Sequence, residues 1–197
     1  SASLTAPRLS PGPTNSVCCG GTVEMPGHGF IMPPRPLLTI PTVLFAAVAG
    51  IIPSPAGYLK RVRELCTRYH ILFIADEVAT GFGRTGRMFA CEHEGISPDI
   101  MAVAKGLTGG YLPLAATLTT TAIYEAFLGE IDEEKTFFHG HSYAGNPLGC
   151  AAALANLAIF KTERTFAKLQ RRIPQFYSIL KSLADSPWVG DIRQCGY

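Results

Sequence analysis

Two uncharged runs of strand length lie in the middle of the chain. They are residues 71–75 (ILFIA) and 100–104 (IMAVA), and they end directly before Asp76 and Lys105. Continuous apolar runs of this length are typical of strands buried on both faces of a parallel sheet. Because ligands of open α/β sheets lie beyond the carboxyl ends of such strands, we expect Asp76 and Lys105 to lie at one rim of a mostly parallel sheet.

A helical spacing of apolar residues precedes the first of these strands. Between residues 58 and 69 the apolar positions lie three or four residues apart, at Leu59, Val62, Leu65, Cys66 and Tyr69. This pattern predicts a crossover helix whose apolar face packs on the sheet.

A third short strand and a following helix are predicted after the Lys105 segment. Residues 115–119 have the composition of a strand. Thr120 or Thr121 can then cap a helix that extends to Leu128.

Two longer helical patterns follow in the last third of the chain. Asn146 and Pro147 combine a capping side chain with a proline at the first helical position, which predicts a helix through Phe160. Residues 166–183 keep a three-four spacing of apolar side chains, and we expect Pro174 to kink or split that helix.

Residues 1–46 differ in composition from the rest of the chain. They contain eight of the fifteen prolines and three charged side chains, and they show no sustained period of strand or helix. We assign this segment no fold. A divergent start, or one read in a shifted frame, is a hypothesis that fits this composition.

Charge and cysteine content restrict the class of protein. The chain has 17 Lys and Arg against 15 Asp and Glu, and this near balance gives no reason to expect nucleic acid or an anionic membrane as partner. Six cysteines without a C-x-x-C pair, and no secretory pattern, favour a reduced cytoplasmic setting. Prolines interrupt the longest uncharged stretch, residues 36–59, so we expect no membrane span.

Lys105 stands apart from the other five lysines. It alone follows an apolar strand, is flanked by glycine and has no acidic neighbour in sequence. An amine and a carboxylate at one rim suit pyridoxal phosphate, because the amine forms a Schiff base with the aldehyde and the carboxylate pairs with the protonated ring nitrogen. The alternative is that Asp76 and Lys105 are ordinary charged residues at strand ends.

Several separate motifs support the first interpretation. The chain from about residue 47 to residue 197 resembles the class III aminotransferases, and most closely those of biotin synthesis that act on 8-amino-7-oxononanoate. The motifs that carry this resemblance are residues 76–86 (DEVATGFGRTG), 88–93 (MFACEH), 98–100 (PDI), 104–110 (AKGLTGG), 112–120 (LPLAATLTT) and 137–148 (FFHGHSYAGNPL).

The resemblance implies an α/β fold of the fold type I pyridoxal phosphate-dependent transferases and a role for each matching residue. Lys105 would carry the cofactor and act as general acid/base, and Asp76 would pair with the ring nitrogen. Val78 would pack against one face of the ring. Arg84 would line the substrate cleft, although a solvated arginine is an equally open alternative.

The loop at residues 139–142 would complete this site. By resemblance Ser142 holds the cofactor phosphate, with Gly140 and His141 beside it, in the active site of a neighbouring subunit. A homodimer with shared active sites is therefore implied. His139 and His141 have no cysteine or carboxylate partner at ligand spacing, so we expect no metal there.

The resemblance also implies a domain division and a reaction. Residues 47–162 would be part of the large cofactor-binding domain, and residues 163–197 the start of the small C-terminal domain. The amine would pass from S-adenosylmethionine, or from lysine in some relatives, to 8-amino-7-oxononanoate. Other possibilities are a different class III ω-amino acid aminotransferase, an aminomutase, or a non-catalytic fragment that lacks the phosphate-binding loop and the carboxylate-binding arginine.

Overall fold

A five-stranded mixed sheet organises the fold. The computed structural model describes residues 52–197 in full and, before them, the backbone of three short strands. In chain order the strands are β1 (Asn15–Cys18), β2 (Leu37–Ile40), β3 (Phe45–Ala46), β4 (Ile52–Pro53), β5 (Leu72–Asp76), β6 (Ile100–Val103) and β7 (Ala116–Thr120).

The strand order in this sheet is β1-β7-β6-β5-β2. β5 is parallel to both β2 and β6, whereas β7 runs antiparallel to β6 and to β1. The α/β class is confirmed, and the sheet is parallel on the β5 side and antiparallel on the β7 side. A separate antiparallel pair joins β3 and β4.

No fold was predicted for residues 1–46, yet two strands of the sheet come from this segment. β1 pairs with β7 at one edge and β2 pairs with β5 at the other. The remaining residues before Ile52 lie outside the described part of the chain, and they include part of the uncharged stretch at residues 36–59.

Four α-helices accompany the strands in the described residues. They are α1 (Tyr58–Arg68), α2 (Thr121–Glu125), α3 (Pro147–Thr162) and α4 (Thr165–Lys181). Three short 3₁₀ helices lie at Ala90–Glu94, Lys105–Thr108 and Ile131–Glu133. Among the described residues, no helix combines the length and the apolar character that a membrane crossing requires.

The predicted helix at residues 58–69 is confirmed as α1. Leu59, Val62 and Cys66 are buried, and the last two pack against Phe73 of β5. The opposite face carries charged side chains in water, as an amphipathic pattern requires.

The later helices agree with the sequence at their starts and differ along their length. Asn146 accepts hydrogen bonds from the main-chain N–H of Leu148 at 2.9 Å and of Gly149 at 3.5 Å, so the predicted cap of α3 is confirmed. Pro174 lies inside α4 without splitting it. α2 ends at Glu125, short of Leu128, and Thr120 occupies its N-cap position without a capping side-chain bond.

One face of the sheet holds most of the described core. Ala75, Met101, Val103 and Ala116 are buried there together with Leu107 and Ala153. Successive strand residues point to opposite faces. Because Ala75 points into this core, Asp76 points away from it and is exposed. The strand ends therefore present polar side chains at a rim that the core supports from one side.

Candidate active site

Asp76 and Lys105 lie at the same rim of the sheet. Asp76 is the last residue of β5 and lies opposite Ala102 in the parallel pairing with β6. Lys105 follows the end of β6 after one residue and opens the 3₁₀ helix Lys105–Thr108. Both strands point the same way, so their carboxyl ends bring the acid and the amine to one edge.

The Asp76 carboxylate is accessible and oriented. Its side chain is exposed, and its Oδ1 atom accepts a hydrogen bond of 2.9 Å from the main-chain N–H of Val78. Within residues 52–197 no lysine or arginine forms a salt bridge with it. One carboxylate oxygen thus has a local partner, and the group has no cation of its own.

Lys105 has an unusual backbone conformation. Its φ angle is 41°, in the left-handed region that side-chain-bearing residues rarely adopt. Such a conformation costs on the order of 1–3 kcal/mol and persists only where the surrounding contacts enforce it. Its side chain is exposed, and it forms no salt bridge within the described residues.

Gly106 allows the turn after Lys105 to pack closely. A Cβ atom at this position would lie 2.7 Å from Cβ of Phe82, which is too close for any side chain. The glycine beside Lys105 in the sequence therefore serves packing against the segment that follows β5.

Glu77 is a buried acid that the sequence reasoning did not single out. Its side chain is fully buried, and its carboxylate accepts hydrogen bonds from the N–H of Ala90 at 3.0 Å, from the N–H of Cys91 at 2.9 Å and from the Thr80 hydroxyl. The available signal was the acidic pair at residues 76–77, because neighbouring residues in an extended chain point to opposite sides. One of the two had to point inward.

The Cys91 thiol shares this buried environment. Burial, together with the negative charge of Glu77 and a hydrogen bond to it, raises the pKa of Cys91 to about 12. The thiol therefore stays protonated at neutral pH and is a structural residue rather than a nucleophile.

The glycine-rich segment at residues 81–86 packs against α4. Cβ atoms built at Gly83 and Gly86 would lie 2.8 Å from Leu169 Cδ1 and 2.9 Å from Ile173 Cδ1. Arg84 is exposed, and its Nη1 atom donates to the main-chain oxygen of Tyr197 at 3.1 Å. The structure thus gives Arg84 a main-chain partner at residue 197.

The predicted phosphate-binding loop is exposed. Gly140, His141 and Ser142 all lie at the surface. His141 Nδ1 accepts a hydrogen bond of 3.1 Å from the N–H of Tyr143, which stabilises the turn locally. No hydrogen bond in the described part of the chain joins these residues to Asp76 or Lys105.

A cavity among the described residues lies away from the sheet rim. It has a volume of about 550 Å³, and its lining includes Met88, His93, Phe166 and Gln170 but neither Asp76 nor Lys105. Two of its polar side chains are already bonded: His93 to Thr85, and Gln170 to the Gly86 carbonyl. No group of three or more His, Cys, Asp or Glu side chains is placed to hold a metal among the described residues.

Comparison with known proteins identifies the family. The sequence model described as "Aminotransferase class-III" matches residues 45–197. A protein of Geobacter sulfurreducens named adenosylmethionine-8-amino-7-oxononanoate aminotransferase is 60% identical over 153 residues, which is 78% of this chain and 34% of the relative. A protein of the same name from Anoxybacillus flavithermus is also 60% identical over 153 residues, again 78% and 34% of the two chains.

A solved structure shows the same relationship. The crystal structure of adenosylmethionine-8-amino-7-oxononanoate aminotransferase from Methanocaldococcus jannaschii superimposes with a TM-score of 0.73 at 52% identity. The match covers 76% of this chain and 35% of that structure.

The chain belongs to the class-III aminotransferases, because the family model matches more than half of it. The family prediction and the fold prediction are both confirmed. Enzymes of this class use pyridoxal 5′-phosphate, so the cofactor prediction is confirmed for the family. The chain spans about a third of the length of the relatives that it matches.

Proposed function

We propose that this chain carries the cofactor-holding acid and amine of a pyridoxal 5′-phosphate-dependent aminotransferase. The observation that carries the proposal is the parallel pairing of β5 with β6, which brings Asp76 and Lys105 to one rim. Strand-end charges are common on protein surfaces, but here they occur in a chain of the class-III family.

The chemistry of both side chains fits the cofactor. Lys105 is exposed and has no salt-bridge partner in residues 52–197, so its amine is accessible to an aldehyde. Asp76 offers a carboxylate with no cation in the same part of the chain, and a protonated ring nitrogen would satisfy it. When bound, pyridoxal phosphate supplies an aldehyde for covalent attachment and a ring that accepts electrons.

Each residue then has a defined task. Lys105 Nζ would hold the cofactor through its aldehyde and would move the proton that leaves the substrate carbon. The Asp76 carboxylate keeps the ring nitrogen protonated. Val78, which donates its main-chain N–H to Asp76, would pack against the ring.

The exposed loop favours a shared site. In the described part of the chain, no hydrogen bond joins Gly140, His141 or Ser142 to Asp76 or Lys105. In the proposed homodimer, the Ser142 hydroxyl and neighbouring main-chain donors bind the cofactor phosphate of the partner subunit, since they supply donors without adding charge. A cytoplasmic location is part of the same proposal.

The proposed substrates follow from the relatives. Those from Geobacter sulfurreducens and Anoxybacillus flavithermus are named for adenosylmethionine and 8-amino-7-oxononanoate. We propose that an amine passes from S-adenosylmethionine to 8-amino-7-oxononanoate, and that lysine is the alternative donor. Arg84 would contribute to the substrate cleft in an arrangement that frees it from Tyr197.

A domain division accompanies this function. Residues 47–162 would belong to the large cofactor-binding domain, and residues 163–197 would begin the small C-terminal domain. The packing of Gly83 and Gly86 on α4 supports a contact between these two parts.

Chemical trapping tests the proposal. The purified chain is mixed with pyridoxal phosphate and reduced with borohydride, and the modified peptide is mapped. We expect label on Lys105 that is lost in Lys105→Ala and kept in Lys161→Ala, a matched exposed lysine on α3. Label spread over surface lysines, unchanged in Lys105→Ala, would contradict the proposal and favour a non-catalytic fragment. Labelled chain can then be assayed with one amine donor at a time.

A further inference from the structure

The turn that begins at Lys105 is held from outside by one side chain of α3. The carboxamide Nδ2 atom of Asn156 donates to the carbonyl of Gly106 at 2.7 Å and to the carbonyl of Leu107 at 3.1 Å. These two residues follow Lys105 directly. The donor lies fifty residues further along the chain, so this is a tertiary contact and not a local turn bond.

The backbone conformation of the turn at Lys105 requires contacts from outside the turn. Lys105 lies in the left-handed region with φ at 41°, and the ends of its short 3₁₀ helix are closed by bonds from Leu107 N–H to Ala104 and from Gly109 N–H to Gly106. A strained conformation persists only where surrounding contacts enforce it. The two bonds from Asn156 engage the carbonyls of this helix directly.

Packing fixes the Asn156 carboxamide as well. A Cβ atom at Gly109, where φ is 63°, would lie 3.1 Å from Asn156 Oδ1. The side chain is half-buried between α3 and the turn. A side chain at position 109 would crowd the carboxamide oxygen, and the two donated hydrogen bonds orient the carboxamide nitrogen.

We propose that Asn156 is a positioning residue that sets the conformation of Lys105 and thereby the direction of its amine towards the cofactor. This inference rests on the proposed function of Lys105. Asn156 acts through the main chain of the turn and does not itself touch the reacting atoms.

The isosteric change Asn156→Asp tests this role. It preserves the shape of the side chain but replaces the two N–H donors by an oxygen that faces two carbonyl oxygens. We expect the amides of Leu107 and Gly109 to exchange hydrogen about tenfold faster, because two donated hydrogen bonds are lost and an oxygen then faces the two carbonyl oxygens. We expect the rate of borohydride-trapped labelling at Lys105 to fall by a similar factor, measured against Lys161 in the same molecule.

Two further variants separate positioning from space filling. Asn156→Gln retains a carboxamide and is expected to recover part of the Lys105 labelling. Asn146→Asp is the matched control, because it makes the same chemical change on the same helix at a position where the side chain only accepts hydrogen bonds. It is expected to label like the unmodified chain.

The outcomes are distinct. Normal labelling of Lys105 in Asn156→Asp, or unchanged exchange at Leu107 and Gly109, overturns the inference and leaves the proposed function standing. An unmodified chain that takes no label at Lys105 overturns the proposed function, and the positioning role falls with it.

Discussion

The Glu77 carboxylate accepts a hydrogen bond of 2.9 Å from the main-chain N–H of Cys91, and both residues are buried. This contact ties the end of β5 to the start of the 3₁₀ helix Ala90–Glu94. The segment between them includes Val78 and the glycine-rich residues 81–86. The residue next to Asp76 therefore anchors the chain that leaves the site.

Glu77→Ala should destabilise the fold strongly. The change leaves the N–H groups of Ala90 and Cys91 and the Thr80 hydroxyl without their buried acceptor. Loss of about 3 kcal/mol in the free energy of unfolding is expected from unsatisfied groups of this kind. Urea denaturation measures it, with the exposed Glu125→Ala of α2 as control. Equal midpoints for the two variants would contradict this assignment.

Cys91 should resist alkylation in the folded chain. Its pKa of about 12 leaves only about one thiol in ten thousand ionised at pH 8, and the thiolate is the reactive form. Because the pKa is raised above the unfolded value, the thiol favours folding below about pH 9, and this contribution is lost as the pH rises towards 12. Iodoacetamide labelling with peptide mapping, before and after urea unfolding, provides the measurement. Rapid labelling of Cys91 in the native chain would be inconsistent with its environment.

Two arginines on α1 should differ in their effect on stability. Arg63 donates at 2.7 Å to Asp99, whose carboxylate also accepts from the N–H of Phe73 at 2.7 Å, and both charged side chains are largely shielded. Arg61 pairs with Glu64 in solvent. We expect Arg63→Ala to cost about 1.5–3 kcal/mol and Arg61→Ala less than about 1 kcal/mol. Thermal unfolding of the two variants measures this difference in stability. A larger loss for Arg61→Ala than for Arg63→Ala would refute the prediction.

Asn146→Ala should weaken the start of α3. The change removes the acceptor of the Leu148 and Gly149 N–H groups, and losses of this kind are typically about 1 kcal/mol. Asn146→Asp keeps an acceptor at the helix N-terminus and should retain the stability. Circular dichroism during urea titration records both variants. Equal loss in both would show that the cap is not the cause.

The sequence by itself determined the local elements and which charged residues lie at the rim. The apolar runs at residues 71–75 and 100–104 predicted β5 and β6, and the charges that end them predicted where Asp76 and Lys105 lie. The helical spacing at residues 58–69 and the Asn146–Pro147 cap predicted α1 and the start of α3. These signals are readable because periodicity and capping depend on residues that are close in the chain.

Only the tertiary structure decided which side chains support that rim. Three of its contacts join residues between 13 and 113 positions apart. They are the bonds of Glu77 with Ala90, of Arg84 with Tyr197 and of Asn156 with the Lys105 turn. The antiparallel pairing of β7 and the pairing of β1 and β2 with the sheet also join segments that are far apart in the sequence. No local pattern encodes such contacts, because they depend on how separate elements pack and on which polar groups burial leaves in need of a partner.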